Sequence, residues 1–187
     1  NAGLRQAPTA RADQIYTGVL YDALDLATLP AAARSRATRR LLIASSLFGM
    51  VSPADRIPSY RLSGGVRLPD LGGVASYWRR HLEMPMGDLV GDGLLLDLRS
   101  SVYAGFWKPQ GANTATVRVL HESNGKRKVV SHFNKATKGR ITRELLREGV
   151  NPRSPLALAD NLRDLGWFVE TAAQPAGHRL DVIVTEI

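Results

Sequence analysis

The sequence of 187 residues contains no cysteine. This absence excludes disulfide bonds, thiolate-ligated iron–sulfur clusters and zinc fingers, and it fits a reducing compartment, so we expect a cytoplasmic protein. The chain has no run of about 18 apolar residues, and we therefore expect no membrane-spanning helix. Aromatic residues make up only 6% of the sequence. We find no basic stretch interleaved with aromatic residues, the pattern typical of single-strand binding.

Signatures of common hydrolases and metalloenzymes are also missing. No serine lies in a GxSxG nucleophile elbow, and the candidate serines stand in ASSLFG and LRSSVY. The four histidines show no HExxH spacing, and the GxxxxGK[ST] phosphate loop is absent. A metal site would need His132 together with carboxylates from distant parts of the chain. We therefore predict neither a resident metal nor a cofactor.

The sequence concentrates positive charge in one segment, residues 126–147. The whole chain carries a net charge of +8, and residues 126–147 hold eight lysines and arginines against one acidic residue, Glu144, a net charge of +7. A cationic surface of this density favours DNA or another phosphate-bearing partner. The alternative is a solvated helix face in a protein that is merely basic.

The hydrophobic pattern predicts a mixed α/β (α+β) architecture, with a central mixed sheet and flanking helices. Asn124-Gly125, flanked by alternating valines, is the strongest short signal for a β-hairpin. Apolar runs at residues 41–44 and 94–98 indicate buried strands. We treat residues 1–187 as a single domain. The other expected elements are a helical segment at 13–24, a short basic helix at 31–40, an ordered loop at 51–65, a helix at 72–82, a helical turn carrying Tyr103 and Phe106, a basic helix ending near Glu148, a helix ending near Gly166 and leading into a strand, and a last strand at 178–187.

Residues 130–149 form the first candidate site, interpreted as a turn that leads from a strand into a basic helix. The free N–H groups and positive dipole at a helix N-terminus favour anions, and Gly139 near the first turn would let a ligand approach the backbone. Arginines three and four residues apart would extend this site as a ridge on one helix face. The predicted anion-binding residues are Asn134, Lys135, Lys138, Gly139 and Arg140, and the predicted nucleic-acid-binding residues are Lys135, Lys138, Arg140, Arg143 and Arg147.

A second candidate site consists of polar residues that follow the two apolar strands, where α/β sheets usually place ligands. The proline-braced loop between them carries Asp55 and arginines, which could bind a polar ligand or could pair with each other and hold the loop. Each tyrosine alone is more often a core residue whose hydroxyl has a partner. The predicted ligand-binding residues are Tyr16, Gly18, Ser46, Asp55, Tyr60, Arg61, Ser101 and Tyr103.

Four motifs occur in a fixed order along the chain: YTGVLYDAL, ASSLFGMVSPADRIPSYRLS, LLLDLRSSVYAGFW and VVSHFNKATKGRITREL. This arrangement resembles the YaaA-like family of bacterial peroxide-stress proteins, and it looks most like an actinobacterial member. The resemblance implies an intracellular protein of the peroxide response that limits free iron and so oxidative DNA damage. It also implies a mixed α/β fold with a positively charged cleft and the ability to bind DNA.

The chain departs from the family pattern at several positions. Ser46 stands where the family usually has Gly, Phe48 where it has Tyr, and Ser52 where it has Arg. In the K-x-x-R-G signature, matched by residues 135–139, Lys138 replaces Arg and keeps the charge but not the planar fork. We expect that an N-terminal portion of the family, with a helix-hairpin-helix-like segment associated with DNA binding, is missing from this chain.

Two functions are therefore predicted. The first is a peroxide-stress protein that binds DNA through a positively charged cleft and helps limit iron-driven DNA damage. The alternative is an enzyme acting on a small anionic or nucleotide-like substrate, with Asp55 or His132 as a candidate general base and Lys138 stabilising negative charge. A third interpretation makes the motifs structural, because ion-pair networks also cluster charges.

Overall fold

The computed structural model describes residues 3–111 and 113–185, except for the side chains of Ser131 and His132. The chain forms two compact units. The first unit comprises the residues up to Tyr16 together with Ser35–Leu89 and Arg99–Lys108, and the second comprises Thr17–Arg34, Val90–Leu98 and the chain from Pro109.

Helices and strands are mixed along the described chain, as the hydrophobic pattern predicts. None of the described helices is both long and apolar enough to cross a membrane. The α-helices are α1 (Ala12–Ile15), α2 (Val19–Leu24), α3 (Ala31–Arg40), α4 (Val74–Val90), α5 (Ser101–Ala104), α6 (Ser131–Glu148) and α7 (Pro155–Asp164), with 3-10 turns at Leu4–Gln6 and Leu26–Thr28. The strands are β1 (Thr9–Arg11), β2 (Ile43–Ser45), β3 (Gly49–Val51), β4 (Arg56–Pro58), β5 (Arg67–Leu68), β6 (Gly72–Gly73), β7 (Leu95–Asp97), β8 (Thr114–Ser123), β9 (Lys126–Lys128), β10 (Phe168–Gln174) and β11 (Gly177–Val184).

A mixed five-stranded sheet forms the centre of the second unit, with strand order β10-β11-β8-β7 and β9 paired to β8. Strands β7, β8 and β11 run parallel, whereas β9 and β10 are antiparallel to their neighbours. The carboxyl ends of β8 and β11 lie close together, because Val184 pairs with His121, whereas β7 ends near the start of β8, where Asp97 pairs with Thr116. The predicted central mixed sheet is confirmed.

The hydrophobic core of the second unit joins this sheet to α6 and α7. These helices supply apolar residues at helical spacing, and the strands supply alternating valines and leucines, so both patterns meet in one cluster. The fully or nearly fully buried members are Ala115, Val117, Val119, Ile141, Leu158, Ala159, Leu162, Val169, Leu180 and Val182.

The hairpin between β8 and β9 confirms the prediction made from Asn124-Gly125. Both residues have positive φ, +52° and +70°, as the tight two-residue turn requires. The turn pairs Ser123 directly with Lys126, so the second strand is the basic stretch Lys126–Lys128 and not the valines that follow it. A second hairpin, between β10 and β11, has a two-residue turn at residues 175–176 that carries no Asn-Gly signal.

The first unit contains three-residue and two-residue ladders, β1–β4, β2–β3 and β5–β6, together with α4 and α5. The prediction of a loop without strands at residues 51–65 is wrong, because β4 lies within these residues and pairs with β1. A single helical segment at 13–24 is also wrong. Gly18, with φ of +110°, separates α1 from α2.

Close packing of α2 against α6 is achieved at Gly139. A Cβ atom placed on this glycine would lie 2.3 Å from the Leu20 carbonyl oxygen and 2.8 Å from the Ala23 Cβ. Both distances are far below van der Waals contact, and the nearer atom belongs to backbone that cannot rotate away. Gly139 therefore sets the approach of the two helices.

We expect Gly139→Ala to lower the free energy of unfolding by about 1–3 kcal/mol, because overpacking outweighs the better helix propensity of alanine. Gly87, inside α4, is a matched control since a Cβ there would meet nothing within 4 Å. Gly87→Ala should raise stability by up to about 1 kcal/mol. Urea unfolding of both variants checks the opposite signs, and a neutral or stabilising Gly139→Ala would contradict the packing argument.

A charged network joins β8 to β11 in the sheet. The carboxylate of Asp181 accepts hydrogen bonds from Arg118 at 2.8 and 2.6 Å and from Arg179 at 2.9 and 3.2 Å. Burial alone would raise the pKa of Asp181, but the hydrogen bonds and charges of the two arginines outweigh it and lower that pKa. The ionised carboxylate is therefore favoured by folding.

We expect Asp181→Asn to lower the free energy of unfolding by about 2 kcal/mol near pH 7. A lowered folded-state pKa contributes stability above the unfolded value of about 3.9 and loses it as pH falls through the folded value. The difference between wild type and Asp181→Asn should therefore shrink below about pH 4. Asp160, whose side chain is 68% exposed in its pair with Arg163, is the control. Asp160→Asn should change stability by less than about 0.5 kcal/mol, and an Asp181→Asn deficit that persists undiminished at pH 3 would contradict the assignment.

Candidate functional site

Three hydroxyl groups converge in the first unit. The Tyr60 hydroxyl lies 2.8 Å from that of Tyr16 and 2.7 Å from that of Ser45. Ser45 is fully buried, and its oxygen accepts the backbone N–H of Phe48 at 3.0 Å. We call Tyr16, Ser45 and Tyr60 the hydroxyl cluster. Sequence analysis included the two tyrosines among the candidates but not Ser45.

The tight β2–β3 hairpin holds Ser45 in position. Gly49 closes it with φ of +78°, and a Cβ atom there would lie 2.8 Å from the ring of Trp78. Trp78 also donates its indole N–H to the Ser46 carbonyl at 2.8 Å. Both the backbone angle and the space therefore require glycine in SSLFG.

Ser46 and Tyr103 also meet, with their hydroxyl oxygens 3.4 Å apart. Strand pairing does not bring them together, because β2 and β7 belong to different sheets. Tyr103 instead extends from α5, where its ring packs against Phe106. Ser101, at the start of the same helix, is exposed.

The Asp55 carboxylate holds its own loop, because it accepts the Ser52 backbone N–H at 2.8 Å. The neighbouring Arg56 donates to the carbonyl of Thr9. The interpretation that these residues fix the loop therefore gains support, although their partners are backbone groups. Asp55 and Arg61 are both exposed, and a role for either in ligand binding stays a prediction.

The junction expected in residues 130–149 differs from the prediction. Helix α6 begins at Ser131, so Asn134, Lys135 and Lys138 lie within the helix and not in a turn before it. His132 is in the first turn, but its side chain lies outside what the structure describes. Gly139 does not admit a ligand to the backbone, because α2 already fills that space.

The predicted ridge of arginines is interrupted. Arg143 donates to the carbonyls of Leu24 and Asp25 at 2.9 and 2.6 Å, where it satisfies the carboxyl-terminal end of α2. Arg147 forms an ion pair with Glu148 at 2.9 Å. Of the three ridge residues, only Arg140 is exposed without an ion pair in the described structure. Gly18, also in the second unit, precedes α2 with a φ of +110°, which glycine adopts without strain.

Lys138 occupies a different environment from the other cations of α6. It is half-buried, and burial lowers its pKa below the ordinary lysine value, although the nearby Asp97 carboxylate acts in the opposite direction. Asn134 lies one helical turn earlier, and its buried Oδ1 has no hydrogen-bond partner in the structure. Asp97, which was not among the predicted site residues, ends β7 and pairs with Thr116 near the start of β8.

Among residues 126–147, the exposed cations lie on the β8–β9 hairpin and on α6. Arg127 is neutralised by Glu122 and Glu170. Its neighbours on β9 and two residues of α6 are exposed and have no ion pair within residues 3–111 and 113–185. We call this group the exposed cation set: Lys126, Lys128, Lys135 and Arg140.

An open cleft of about 520 Å³ lies beside Arg140 in the second unit. Arg127 and Glu122 also line it, together with Trp167 and Phe168, of which Phe168 is 60% exposed. Its charges nearly balance, so this cleft alone is a weak attractor of anions. Within the described part of the chain, no cluster of three or more His, Asp or Glu side chains is arranged to hold a metal ion.

The sequence was compared with protein families and curated proteins. The family model described as peroxide stress protein YaaA matches residues 1–171. A UPF0246 protein of Streptomyces coelicolor is 55% identical, and the match covers 100% of this chain and 74% of the relative. A UPF0246 protein of Corynebacterium efficiens is 42% identical over 91% of this chain and 68% of its own length. An uncharacterized protein of Campylobacter jejuni is 32% identical over 73% of this chain and 53% of its own length.

These matches confirm the resemblance drawn from the four motifs. The family model covers most of the chain, and the curated relatives at 55% and 42% identity carry one family name. The chain belongs to the family of peroxide stress protein YaaA, whose curated relatives are named UPF0246 proteins.

Proposed function

We propose that this member of the peroxide-stress family is a cytoplasmic protein that binds DNA and helps limit iron-driven DNA damage. The observation that carries the proposal is the exposed cation set. Lys126 and Lys128 alternate with Arg127 on β9, and only two residues separate this strand from α6. Cations without acidic partners can exchange their counterions for phosphates, and this exchange drives sequence-independent DNA binding.

Some of the cations are held by protein groups and others are exposed to solvent, and this difference supports the proposal. Arg143 and Arg127 are held by protein partners, whereas the lysines of the exposed cation set keep their charge available to solvent. Phosphate contacts of this kind give affinity that falls steeply with salt and depends little on sequence. A protein that shields DNA from damage has no need to read base sequence.

We expect Lys135→Gln/Arg140→Gln to weaken duplex binding and to make the plot of log Kd against log salt concentration less steep by about two, since each phosphate contact contributes about 0.9. Binding is measured by fluorescence anisotropy across a salt series. The control is Lys108→Gln/Arg153→Gln, which removes the same charge from two other exposed positions. An equal change in both variants would assign binding to net charge alone, and duplex binding that is undetectable at low salt would contradict the proposal.

A second candidate function is an enzyme acting on a small anionic or nucleotide-like substrate. The observation in its favour is that Tyr16, Tyr60 and Ser45 converge, as do Ser46 and Tyr103. Convergent polar groups on a rigid scaffold are how small-molecule sites are built. The roles of Asp55 and His132 as general base remain predictions under this alternative.

The alternative predicts that a nucleoside mono-, di- or triphosphate raises the melting temperature of the protein. At about 100 times Kd, the stabilisation should reach about 2.7 kcal/mol. Tyr60→Phe, which removes the central hydroxyl of the cluster, should reduce this shift by more than half. Tyr77→Phe is the matched control, because the Tyr77 ring stacks on His81 without using its hydroxyl in the described structure. A wild-type protein that no nucleotide stabilises would contradict the alternative.

A further inference from the structure

Lys138 combines two properties that are uncommon in a lysine on a cationic helix. Its backbone is fixed, because Gly139 next to it packs against α2 and Thr142 donates its hydroxyl to the Lys138 carbonyl at 2.8 Å. Its side chain is half-buried, and burial lowers the pKa of its amine. A desolvated lysine holds more of its amine in the neutral, nucleophilic form near pH 7 than an exposed lysine does.

Asp97 provides a carboxylate beside this amine. It ends β7, where it pairs with Thr116 near the start of β8. Its charge acts on Lys138 and partly opposes the effect of burial on the pKa. Through an intervening water, a carboxylate whose charge acts on this amine can accept a proton from the lysine nitrogen and return it to a departing hydroxyl group.

Asn134 supplies an acceptor that no group among the described residues uses. It lies four residues before Lys138, which places both side chains on one face of α6. Its Oδ1 is buried and has no hydrogen-bond partner in the structure, although such an orphan acceptor costs about 1–3 kcal/mol. A ligand hydroxyl would satisfy it. Lys135, exposed and three residues before Lys138, is placed to bind an anionic group on the same ligand.

We propose that Lys138 forms a Schiff base with a hydroxyaldehyde that carries a phosphate group. Asn134 Oδ1 accepts the hydroxyl of this ligand, and Lys135 binds its phosphate. The inference goes beyond DNA binding, because it needs neither Lys126 and Lys128 of the β8–β9 hairpin nor Arg140.

The reaction is balanced without an oxidant or reductant. The neutral Nζ of Lys138 attacks the carbonyl carbon, the C–N bond forms, and the carbonyl oxygen takes a proton to give a carbinolamine. Through an intervening water, Asp97 accepts a proton from the nitrogen and returns it to the carbinolamine hydroxyl, which leaves as water. The products are a protonated imine and one water molecule, formed from amine, aldehyde and one proton.

This ligand chemistry has two sources. Phosphorylated aldehydes occur as free sugar phosphates, and the deoxyribose of an abasic site in DNA is an aldehyde with phosphates on both sides. Lys138, Asn134 and Lys135 fit the chemistry that the two sources share. The test therefore has one arm for each source.

In the test, the protein is incubated near pH 7 with sodium cyanoborohydride and either glyceraldehyde 3-phosphate or a duplex that contains one abasic site. Peptide mass spectrometry then locates the reduced adduct among the five lysines of the chain. We expect Lys138 to be labelled faster than each exposed lysine, since burial lowers its pKa and leaves more of its amine neutral near pH 7. Lys108→Arg, at an exposed lysine outside the proposed site, should leave labelling at Lys138 unchanged. Asn134→Ala should slow labelling at Lys138, because the ligand hydroxyl loses its acceptor.

Labelling of Lys138 by the free aldehyde alone, or by the abasic duplex alone, supports the inference and identifies the source. Labelling spread evenly over the five lysines in both arms would overturn it. Because this comparison is made within the wild-type protein, it holds even if Lys138→Arg fails to fold. If the wild-type protein does not bind duplex DNA but the free aldehyde labels Lys138, the proposed DNA function is rejected and this inference stands.

Discussion

The contact between α2 and α6 at Gly139 determines what the cationic helix can present. With no side chain at that position, the backbone of α2 lies directly against α6, and this contact fixes the rotation of α6 about its axis. Ile141 then enters the core, and Arg143 reaches the carbonyls at the end of α2. Lys138, adjacent to the contact, is drawn out of solvent. The chemistry of the helix therefore follows from a packing constraint.

Because of this packing constraint, the eight cations of residues 126–147 have separate roles, although they look alike in the sequence. Arginine has five donors in a planar fork and suits the capping of carbonyls, which is what Arg143 does with two carbonyls of α2. Arg127 uses the same fork to bridge two glutamates. Lysine is a flexible point charge that stays solvated unless packing forces it inward. The lysines of β9 and Lys135 remain exposed, and Lys138 is the exception.

Local signals were sufficient to predict much of the fold. Asn124-Gly125 predicted the hairpin. Composition and spacing predicted α3, the end of α6 and the boundaries of α7. The start of α6 was misplaced because Ser131 begins the helix without any side-chain cap for a pattern to reveal. In the hydroxyl cluster, Tyr60 meets Tyr16, which is 44 positions away in the sequence, and Ser45, which is 15 positions away. The sequence indicated that polar residues follow strands, but only tertiary packing decides which hydroxyl meets which.

The two units differ in how completely their polar groups are satisfied, and this difference bears on function. In the hydroxyl cluster, every hydroxyl has a protein partner, so the cluster stabilises its own loops whether or not it binds anything. In the second unit, the Asn134 acceptor has no partner and the Lys138 amine is partly desolvated. Such groups cost stability, and a fold tolerates that cost most readily where a ligand relieves it. The face of α6 that carries these two residues is therefore the stronger candidate for ligand chemistry, even though the first unit brings together more of the predicted residues.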